Sequence, residues 1–396
     1  MPSPAVIFDF DRVWDRSGTD AEKYDARQAV FGTTDVIPLW VADMDFATPD
    51  FIIEALKNRL EHPLLGYTLM SEALYQAVID WQAQQDYHLE ASQICWTHNV
   101  ANGFHLAVQA FTQVGDAILV QPPIYPPFLK APELNDRRCI ESPLVLEKGQ
   151  YHIDFAAFES QIQRHHIKLF LFSHPQNPSG RVWQPDELLK LGQICIKHQV
   201  IIVSDEIHSD LVYPPFKHVP LASLSPDIAQ NTVTLSSPGK TFNLGGLQIG
   251  YAIIANPVLK KAFERVSQRL KIQDLNVMGA VALQAAYSDL GREYKKQLVT
   301  YLNNNIQTVL DFFAEQAPQV KVMRPQATYL IWIDFSALFN AQEDLQAWLI
   351  FKAKLGLGSG INFGEAGRGF MRMNIALPKS QLQQALSQLK SALHTL

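Results

Sequence analysis

The run Thr232-Val233-Thr234-Leu235-Ser236-Ser237-Pro238-Gly239-Lys240-Thr241-Phe242-Asn243 places a lysine directly after a predicted buried strand. The β-branched and apolar residues at 232–235 favour the strand, and the Pro-Gly pair that follows favours a turn. A position between hydroxyl groups and a glycine at a strand end is unusual for an ordinary surface lysine. Lys240 is well placed to form an imine with an aldehyde cofactor, because a desolvated amine is a good nucleophile.

Short apolar runs alternate with longer helical patterns between about residues 95 and 290. Runs that are apolar on both faces predict sheet strands covered by helices on both sides. The alternation predicts an α/β domain with a mainly parallel sheet, whose functional residues gather at the carboxyl ends of the strands. The predicted strands, besides 232–235, are 117–120, 168–172, 200–203 and 251–254.

The C-terminal part has a different pattern. Strand-like runs at 329–334 and 370–374 flank a helical stretch at 341–355, and a helix is predicted from about Lys379 onward. This order of elements predicts a second, smaller α+β domain. The expected domains are residues 49–284 for the large one, and residues 1–48 together with 285–396 for the small one.

The composition excludes several classes of protein. The chain has 396 residues, 47% of them hydrophobic and 18% charged, which is enough for a large core and two domains. A net charge of −6 without a basic run argues against a nucleic-acid partner, and no apolar run is long enough to span a membrane. Residues 1–5 lack the features of a signal peptide, and the widely spaced Cys95, Cys139 and Cys195 form no metal-ligand pattern. We expect a cytoplasmic protein without a metal site.

Two other stretches supply the remaining parts of a cofactor site. Asp205, in Ser204-Asp205-Glu206-Ile207-His208, ends a predicted buried strand, where a carboxylate needs a partner. A protonated pyridine nitrogen is one such partner, and a role as a helix N-cap is the alternative. Asn177, in Ser173-His174-Pro175-Gln176-Asn177-Pro178-Ser179-Gly180, can donate to a ring oxygen, although Asn-Pro alone usually means a turn. Lys240, Asp205 and Asn177 together match the needs of a pyridoxal phosphate site.

Other residues can hold the ring and the phosphate of this cofactor. His208 can reach the ring face or its 3′-oxygen, or it can be structural. Tyr125, in a proline-rich loop, can stack on the ring or pack in the core. Ser237 can donate to a phosphate. The backbone of Asn99-Val100-Ala101 can supply N–H groups at a helix N-terminus, where a plain N-cap is the alternative.

Two arginines near the C-terminus compete for a substrate carboxylate. Arg372 follows a glycine-rich turn and lies on a predicted apolar strand, where an arginine needs a buried carboxylate that it can grip with two parallel bonds. Arg368, between two glycines, is typical of an exposed turn. Arg372 is therefore the predicted ligand of the carboxylate of an amino-acid substrate.

The chain resembles the fold-type-I pyridoxal-phosphate enzymes of the class I/II aminotransferase superfamily, and among them the PatB/MalY-type cystathionine β-lyases, or C–S lyases. Trp40-Val41-Ala42-Asp43-Met44-Asp45-Phe46 and Asp-Glu-Ile-His distinguish this branch, since typical aminotransferases resemble Gly-Glu-Pro-Asp-Phe and Asp-Glu-Val-Tyr there. The resemblance runs nearly end to end. The other matching motifs are Asp15-Arg16-Ser17-Gly18-Thr19, Gly66-Tyr67-Thr68, the run 173–180, Lys240-Thr241-Phe242-Asn243 and the segment 363–372.

The resemblance implies a role for each candidate residue. Lys240 would be the Schiff-base and catalytic lysine, and Asp205 the partner of the pyridine nitrogen. Tyr67 would reach the phosphate of the neighbouring subunit, which implies a homodimer with shared active sites. By position, Asn177 would contact the 3′-oxygen and Tyr125 would stack on the ring. Ser237 and the Val100 and Ala101 backbone would hold the phosphate, and Arg372, with Asn177 and the Ala42 backbone, would bind the substrate.

The implied reaction is α,β-elimination on L-cystathionine and related L-cysteine S-conjugates, giving a thiol (homocysteine from cystathionine), pyruvate and ammonia. An aminotransferase on the same fold is the alternative, and a non-catalytic binding protein is a third class. Gln248, where many aminotransferases carry a phosphate-binding arginine, favours the lyase. Pro238-Gly239 stands where a serine is common, so one phosphate hydroxyl is missing.

Overall fold

The computed structural model describes residues 6–396, so the signal-peptide prediction for residues 1–5 lies outside the described part. No helix within 6–396 is both long and apolar enough to cross a membrane. The strands are β1 (Ile37–Leu39), β2 (Ile94–Thr97), β3 (Ala117–Val120), β4 (Arg138–Glu141), β5 (Val145–Glu147), β6 (Gln150–His152), β7 (Leu169–Ser173), β8 (Ile201–Asp205), β9 (Thr232–Ser236), β10 (Gly250–Ile254), β11 (Lys321–Met323), β12 (Leu330–Asp334), β13 (Leu355–Ser359) and β14 (Phe370–Asn374). The α-helices are α1 (Glu22–Asp25), α2 (Arg27–Phe31), α3 (Asp50–Leu60), α4 (Glu72–Gln82), α5 (Val100–Phe111), α6 (Pro126–Leu134), α7 (Phe155–His165), α8 (Pro185–Lys197), α9 (Pro226–Gln230), α10 (Pro257–Leu270), α11 (Val277–Ala286), α12 (Asp289–Gln316), α13 (Gln342–Phe351) and α14 (Lys379–Leu393).

The larger sheet has seven strands in the order β2-β10-β9-β8-β7-β3-β4. Its strands from β9 across to β4 pair in parallel, and β10 alone runs antiparallel to its neighbours β9 and β2. This arrangement confirms the predicted mainly parallel sheet. The runs predicted at 117–120 and 232–235 begin where β3 and β9 begin, whereas those at 168–172 and 200–203 begin one residue early.

Both faces of this sheet are covered by helices, as the unbroken apolar runs predict. Along β7, Phe170 and Phe172 join a core with side chains of α7 and α8, while Leu169 and Leu171 join a second core with α5 and α10. Successive side chains of a strand point to opposite faces, so a strand buried on both sides must be apolar throughout. Polar side chains at the ends of such strands are therefore buried away from solvent.

The smaller sheet has the order β1-β13-β14-β12-β11. β1, from the N-terminal segment, pairs in parallel with β13, while β14 pairs antiparallel with both β13 and β12. The strands predicted near 329–334 and 370–374 are β12 and β14, and α14 begins at the predicted Lys379. The helix predicted through 355 was wrong at its end, because the chain turns through Lys354 in a left-handed conformation (φ 55°) and continues as β13.

Three parallel strands end side by side and bring the predicted cofactor segments together. Ser173, the last residue of β7, is the register partner of Asp205, the last residue of β8, and Asp205 also pairs with Leu235 of β9. The chain continues from these strand ends toward Asn177 and Lys240. The prediction that these segments meet at one edge of the sheet is confirmed.

Candidate active site

A cavity of about 610 Å³ lies at the carboxyl ends of β7, β8 and β9. This volume is within the range of cofactor and small-ligand sites. The cavity receives residues from the strand ends, from the start of α5 and from the N-terminal segment. The predicted site residues that line it are Ala42, Val100, Ala101, Tyr125, Asn177, Asp205, His208, Ser237 and Lys240.

Lys240 carries an amine whose surroundings make it reactive. Its Nζ donates to the carbonyl oxygen of Ala42 at 2.6 Å. Burial, followed by the positive charge of Arg372, lowers the pKa of Lys240 to about 8, against the opposing effect of Asp43 and Asp205. Because desolvation disfavours the ammonium form, a larger fraction of this amine is neutral near neutral pH than in an exposed lysine.

We expect the cofactor-free protein to capture an aldehyde with a pH dependence set by this amine. The neutral amine is the nucleophile, so the rate of capture should rise with pH through a midpoint near 8 rather than near the ordinary lysine value of 10.5. The measurement is the amount of pyridoxal phosphate fixed to the protein by borohydride at each pH. The exposed Lys168 provides the control: Lys168→Ala should leave the midpoint unchanged, and a midpoint close to that of an ordinary lysine would contradict the expectation.

Asp205 presents a carboxylate that the protein alone leaves under-partnered. The side chain is buried, and its Oδ1 accepts from the Ile207 N–H at 3.1 Å. Burial raises the pKa of Asp205 to about 7, although Lys240 and the Ile207 N–H oppose the shift. No helix begins directly after Asp205, and the next helical turn starts only at Leu221, so the N-cap alternative was wrong. A cation bound in the cavity would satisfy this carboxylate.

Arg372 and Asn177 form a hydrogen-bonded pair, of which Asn177 lines the cavity and Arg372 does not. Arg372 Nη1 donates to Asn177 Oδ1 at 3.1 Å, and its Nη2 donates to the Trp40 carbonyl at 2.8 Å. The buried Nε has no partner within residues 6–396, and burial lowers the pKa of Arg372 to about 10. Arg368, in contrast, is exposed and pairs with Glu365 at 2.5 Å, as its place in a glycine-rich turn predicts. Arg372 is thus the arginine whose donors remain available for a carboxylate.

The loop that carries Asn177 is locked against the segment before β12. Gly180 has φ +70°, and a Cβ at this position would lie 2.6 Å from Cβ of Pro325. The N–H groups of Gln326 and Ala327 both donate to the Gly180 carbonyl at 2.9 Å. A glycine is needed here, because any side chain would collide with the neighbouring segment in a backbone conformation that favours glycine.

The start of α5 offers backbone donors to one end of the cavity. Asn99 is the N-cap, and its side chain accepts from the Asn102 N–H. The capping alternative is therefore correct, and it coexists with the predicted role, because the first N–H groups of a helix, here those of Val100 and Ala101, have no intrahelical acceptor. Ser237 Oγ donates to the Ile249 carbonyl at 2.6 Å, so donation to a phosphate requires this hydroxyl to rotate.

Gln248 lies at the same end of the cavity as these donors. It has a left-handed backbone conformation (φ 53°), and its Oε1 accepts from Asn99 Nδ2 at 2.5 Å. The position that the resemblance associates with a phosphate-binding arginine therefore holds a neutral amide beside the helix N-terminus. An anion bound here would be neutralised by backbone donors and not by a guanidinium.

We expect Gln248→Arg to tighten binding of pyridoxal phosphate. A charge-assisted hydrogen bond contributes more than a neutral one, so the dissociation constant should fall by about tenfold. The measurement is titration of the cofactor-free protein with pyridoxal phosphate, and Gln113→Arg on the exposed surface controls for added net charge. An equal gain in both variants would assign the effect to long-range attraction instead of a local contact.

The three remaining predicted site residues, Tyr125, His208 and Tyr67, differ in burial and in whether they line the cavity. Tyr125 precedes α6, and its ring lies 6.2 Å from that of Phe128, so it both packs in the core and lines the cavity. His208 is buried, its Nδ1 has no partner among the described residues, and burial lowers its pKa well below the ordinary value. Tyr67 does not line the cavity and is fully exposed in the single chain.

Sequence reasoning missed the side chains that hold the turn at 40–46 against the cavity. Asn243 accepts from the Met44 N–H at 3.0 Å and donates to the Met44 and Phe46 carbonyls. Asn374 donates to two further carbonyls of the turn at 2.6 Å, and the Tyr329 hydroxyl donates to that of Ala42 at 2.8 Å. The only sequence signal was indirect: Asn243 closes the motif that contains Lys240.

The residues present fit pyridoxal phosphate. Free backbone N–H groups at a helix N-terminus suit a phosphate, the buried Asp205 suits a protonated ring nitrogen, and the Lys240 amine suits an aldehyde. Asn177 and His208 line the same cavity and supply polar groups for the ring. Within residues 6–396 there is no group of three or more His, Cys, Asp or Glu side chains that could hold a metal ion.

Comparison with known proteins places the chain in a family. The family described as aminotransferase class I and II matches residues 34–389, and the chain belongs to it. The chain is 41% identical to cystathionine beta-lyase PatB from Bacillus subtilis over 97% of its own length and 99% of that protein. It is also similar to the crystal structure of cystalysin from Treponema denticola, which contains a pyridoxal 5′-phosphate cofactor, with a TM-score of 0.95 and 33% identity over 98% of this chain and 100% of that chain. The PLP-bound C–S lyase from Staphylococcus hominis matches with a TM-score of 0.91 and 30% identity over 98% and 99% of the two chains.

Proposed function

We propose that this chain is a pyridoxal-phosphate-dependent carbon–sulfur β-lyase that acts on L-cystathionine and related L-cysteine S-conjugates. The observation that carries the proposal is the convergence of the Lys240 amine, the Asp205 carboxylate and the Asn177 amide on one cavity, with Arg372 hydrogen-bonded to Asn177. The similarity to a cystathionine beta-lyase over nearly the whole chain selects β-elimination among the reactions that such a site can support. The products are a thiol, pyruvate and ammonia, and one water is consumed when the released aminoacrylate hydrolyses to pyruvate and ammonia.

Each residue of the site has a separate role in the reaction. When bound, pyridoxal phosphate supplies an aldehyde for the substrate amine and a cationic ring that draws electrons from the α-carbon. Asp205 keeps the ring nitrogen protonated, since an ionised carboxylate in a buried site stabilises the neighbouring positive charge. Arg372 grips the α-carboxylate with its free donors, while Asn177 orients the guanidinium.

Lys240 moves the protons. As a neutral amine of lowered pKa, it takes the proton from the substrate α-carbon, and the β-thiolate then leaves. The resulting ammonium at Nζ can return its proton to the departing sulfur. The Ala42 carbonyl, which accepts from Nζ, and the Tyr329 hydroxyl bonded to the same carbonyl hold the amine in place between these steps.

An assay of products distinguishes the proposal from aminotransfer on the same fold. The purified protein loaded with pyridoxal phosphate should release pyruvate and a free thiol from L-cystathionine in equal amounts. Transfer of the amino group to a keto acid, without pyruvate release from cystathionine, would contradict the lyase proposal. Failure to bind pyridoxal phosphate at all would point instead to a non-catalytic protein.

We also propose a homodimer in which Tyr67 completes the partner's active site. This residue is fully exposed, and it lies in a segment with other exposed apolar side chains, Leu60, Leu64, Leu65 and Leu69. Contiguous apolar exposure is typical of a protein interface. Analytical ultracentrifugation tests the oligomeric state. Mixing Tyr67→Ala with Lys240→Ala subunits tests the sharing of sites, since mixed dimers should regain activity that neither variant has.

Two further proposals concern organisation and location. We propose that residues 49–284 form the large domain and that 1–48 and 285–396 form the small one, of which residues 1–5 lie outside the described part. The pairing of β1 with β13 across these two segments supports this division. We propose a cytoplasmic enzyme, supported by the free thiols of Cys95, Cys139 and Cys195.

A further inference from the structure

One wall of the cavity is built by the N-terminal segment. Arg16, Ala21 and Glu22 line it next to the turn at Val41–Asp43. None of these three residues belongs to the predicted cofactor contacts. Because the turn carries the carbonyl that holds Lys240, this wall stands on the side of the cavity where the substrate reacts.

Arg16, on this wall, has N–H groups that no acceptor among the described residues uses. Its Nη1 donates to Asp43 Oδ1 (3.1 Å), the Met44 carbonyl (3.2 Å) and Asp45 Oδ1 (2.7 Å), and its Nη2 donates to Asp43 Oδ2 (2.6 Å). An arginine has five N–H donors. The Nε–H and the second hydrogen of Nη2 have no partner within residues 6–396. These two donors form one edge of the guanidinium, the edge that can bind a carboxylate with two parallel bonds.

The charges around Arg16 balance and hold it rigidly. The fully buried Lys23 binds Asp45 Oδ2 at 2.7 Å and lies 3.7 Å from Asp43 Oδ1, so two carboxylates face two cations. The ring centroid of Tyr24 lies 5.4 Å from the guanidinium carbon. A guanidinium fixed in this way loses little conformational entropy when it binds an anion.

Glu22 contributes the opposite charge. Its carboxylate is exposed and makes no side-chain hydrogen bond within the described part of the chain. Glu22 lines the same cavity as Arg16 and Tyr125. This wall of the cavity therefore carries two groups of opposite charge that the described residues leave unpaired: one edge of the Arg16 guanidinium and the Glu22 carboxylate.

We propose that Arg16 and Glu22 form a second amino-acid subsite, which binds the carboxylate and the ammonium of a zwitterionic sulfur substituent. The preferred substrates are then thioethers or disulfides that join two amino acids, and S-alkyl-cysteines lack a partner for this wall. The inference rests on the proposed β-lyase activity and names the substrate class of the same site.

The test compares L-cystathionine, which has an amino acid at both ends, with S-ethyl-L-cysteine, which has one. For Glu22→Gln and for Arg16→Lys, the ratio of kcat/KM for cystathionine to that for S-ethyl-cysteine should fall by about tenfold, mainly through KM, because each variant loses a charge-assisted contact. The exposed Arg164→Gln should leave the ratio unchanged.

The outcomes separate this inference from the proposed function. Pyruvate release from neither substrate by the unaltered protein contradicts the lyase activity itself. Pyruvate release from both, with an unchanged ratio in Glu22→Gln, overturns the subsite alone. Glu22→Gln keeps the shape of an exposed side chain, so it decides the question even if Arg16→Lys loosens the turn at 40–46, which thermal unfolding of both variants would reveal.

Discussion

Lys240→Ala should abolish pyruvate release from cystathionine, with kcat lowered by about 10³–10⁴-fold. The variant loses both the amine that captures the cofactor and the base that removes the α-proton, and no other lysine lines the cavity within residues 6–396. The measurement is the rate of pyruvate formation with saturating pyridoxal phosphate, so that weaker cofactor binding does not account for the loss.

The variant should fold normally. Nζ makes one hydrogen bond, to the Ala42 carbonyl, and that carbonyl keeps the Tyr329 hydroxyl as a donor. Removing a buried amine also removes the cost of desolvating it. The exposed Lys168→Ala serves as the matched control and should retain full activity. Addition of a small primary amine should restore part of the activity of Lys240→Ala, and an active Lys240→Ala protein without such an amine would overturn the assigned role.

Asp205→Asn should produce the second-largest loss. The carboxamide has the same shape but no charge, so a protonated ring nitrogen would be buried without its partner. Removing one partner from a buried ion pair costs about 3–5 kcal/mol, which corresponds to a loss of about 200- to 5,000-fold in kcat if the pair is stronger in the transition state. The expected loss is in kcat at saturating cofactor and substrate.

A matched change at the surface separates local from general effects. Asp227→Asn, in the exposed first turn of α9, removes the same charge and should leave kcat unchanged. In cofactor-free protein, Asp205→Asn should stabilise the fold above pH 7. Burial raises the pKa of this carboxyl from the ordinary value of 3.8 to about 7, so the cost of ionising it in the folded protein grows between about pH 4 and pH 7 and is fully present above pH 7. Equal kcat for Asp205→Asn and the unaltered protein would contradict the proposed ring contact.

The large sheet and its strand ends could be predicted because both depend on local sequence. Strands buried on two faces must be apolar throughout, and parallel strands place their carboxyl ends at one edge, so Asn177, Asp205 and Lys240 were expected to meet. The end of α13 could not be predicted from its apolar pattern. The left-handed turn at Lys354 and the pairing of β13 with β1 and β14 decide it, and that pairing joins distant parts of the chain.

The sequence by itself determined the class of fold and the cofactor, and it predicted which residues meet at the cavity, because each of these depends on short motifs after strands. Only the tertiary structure decided how Lys240 is held, since its hydrogen bond to Ala42 joins residues 198 positions apart. The same is true of the wall formed by Arg16 and Glu22, which no spacing reveals. Contacts between distant segments form only when the chain is folded, and here they bury the lysine, which lowers its pKa, and they shape the cavity beside it.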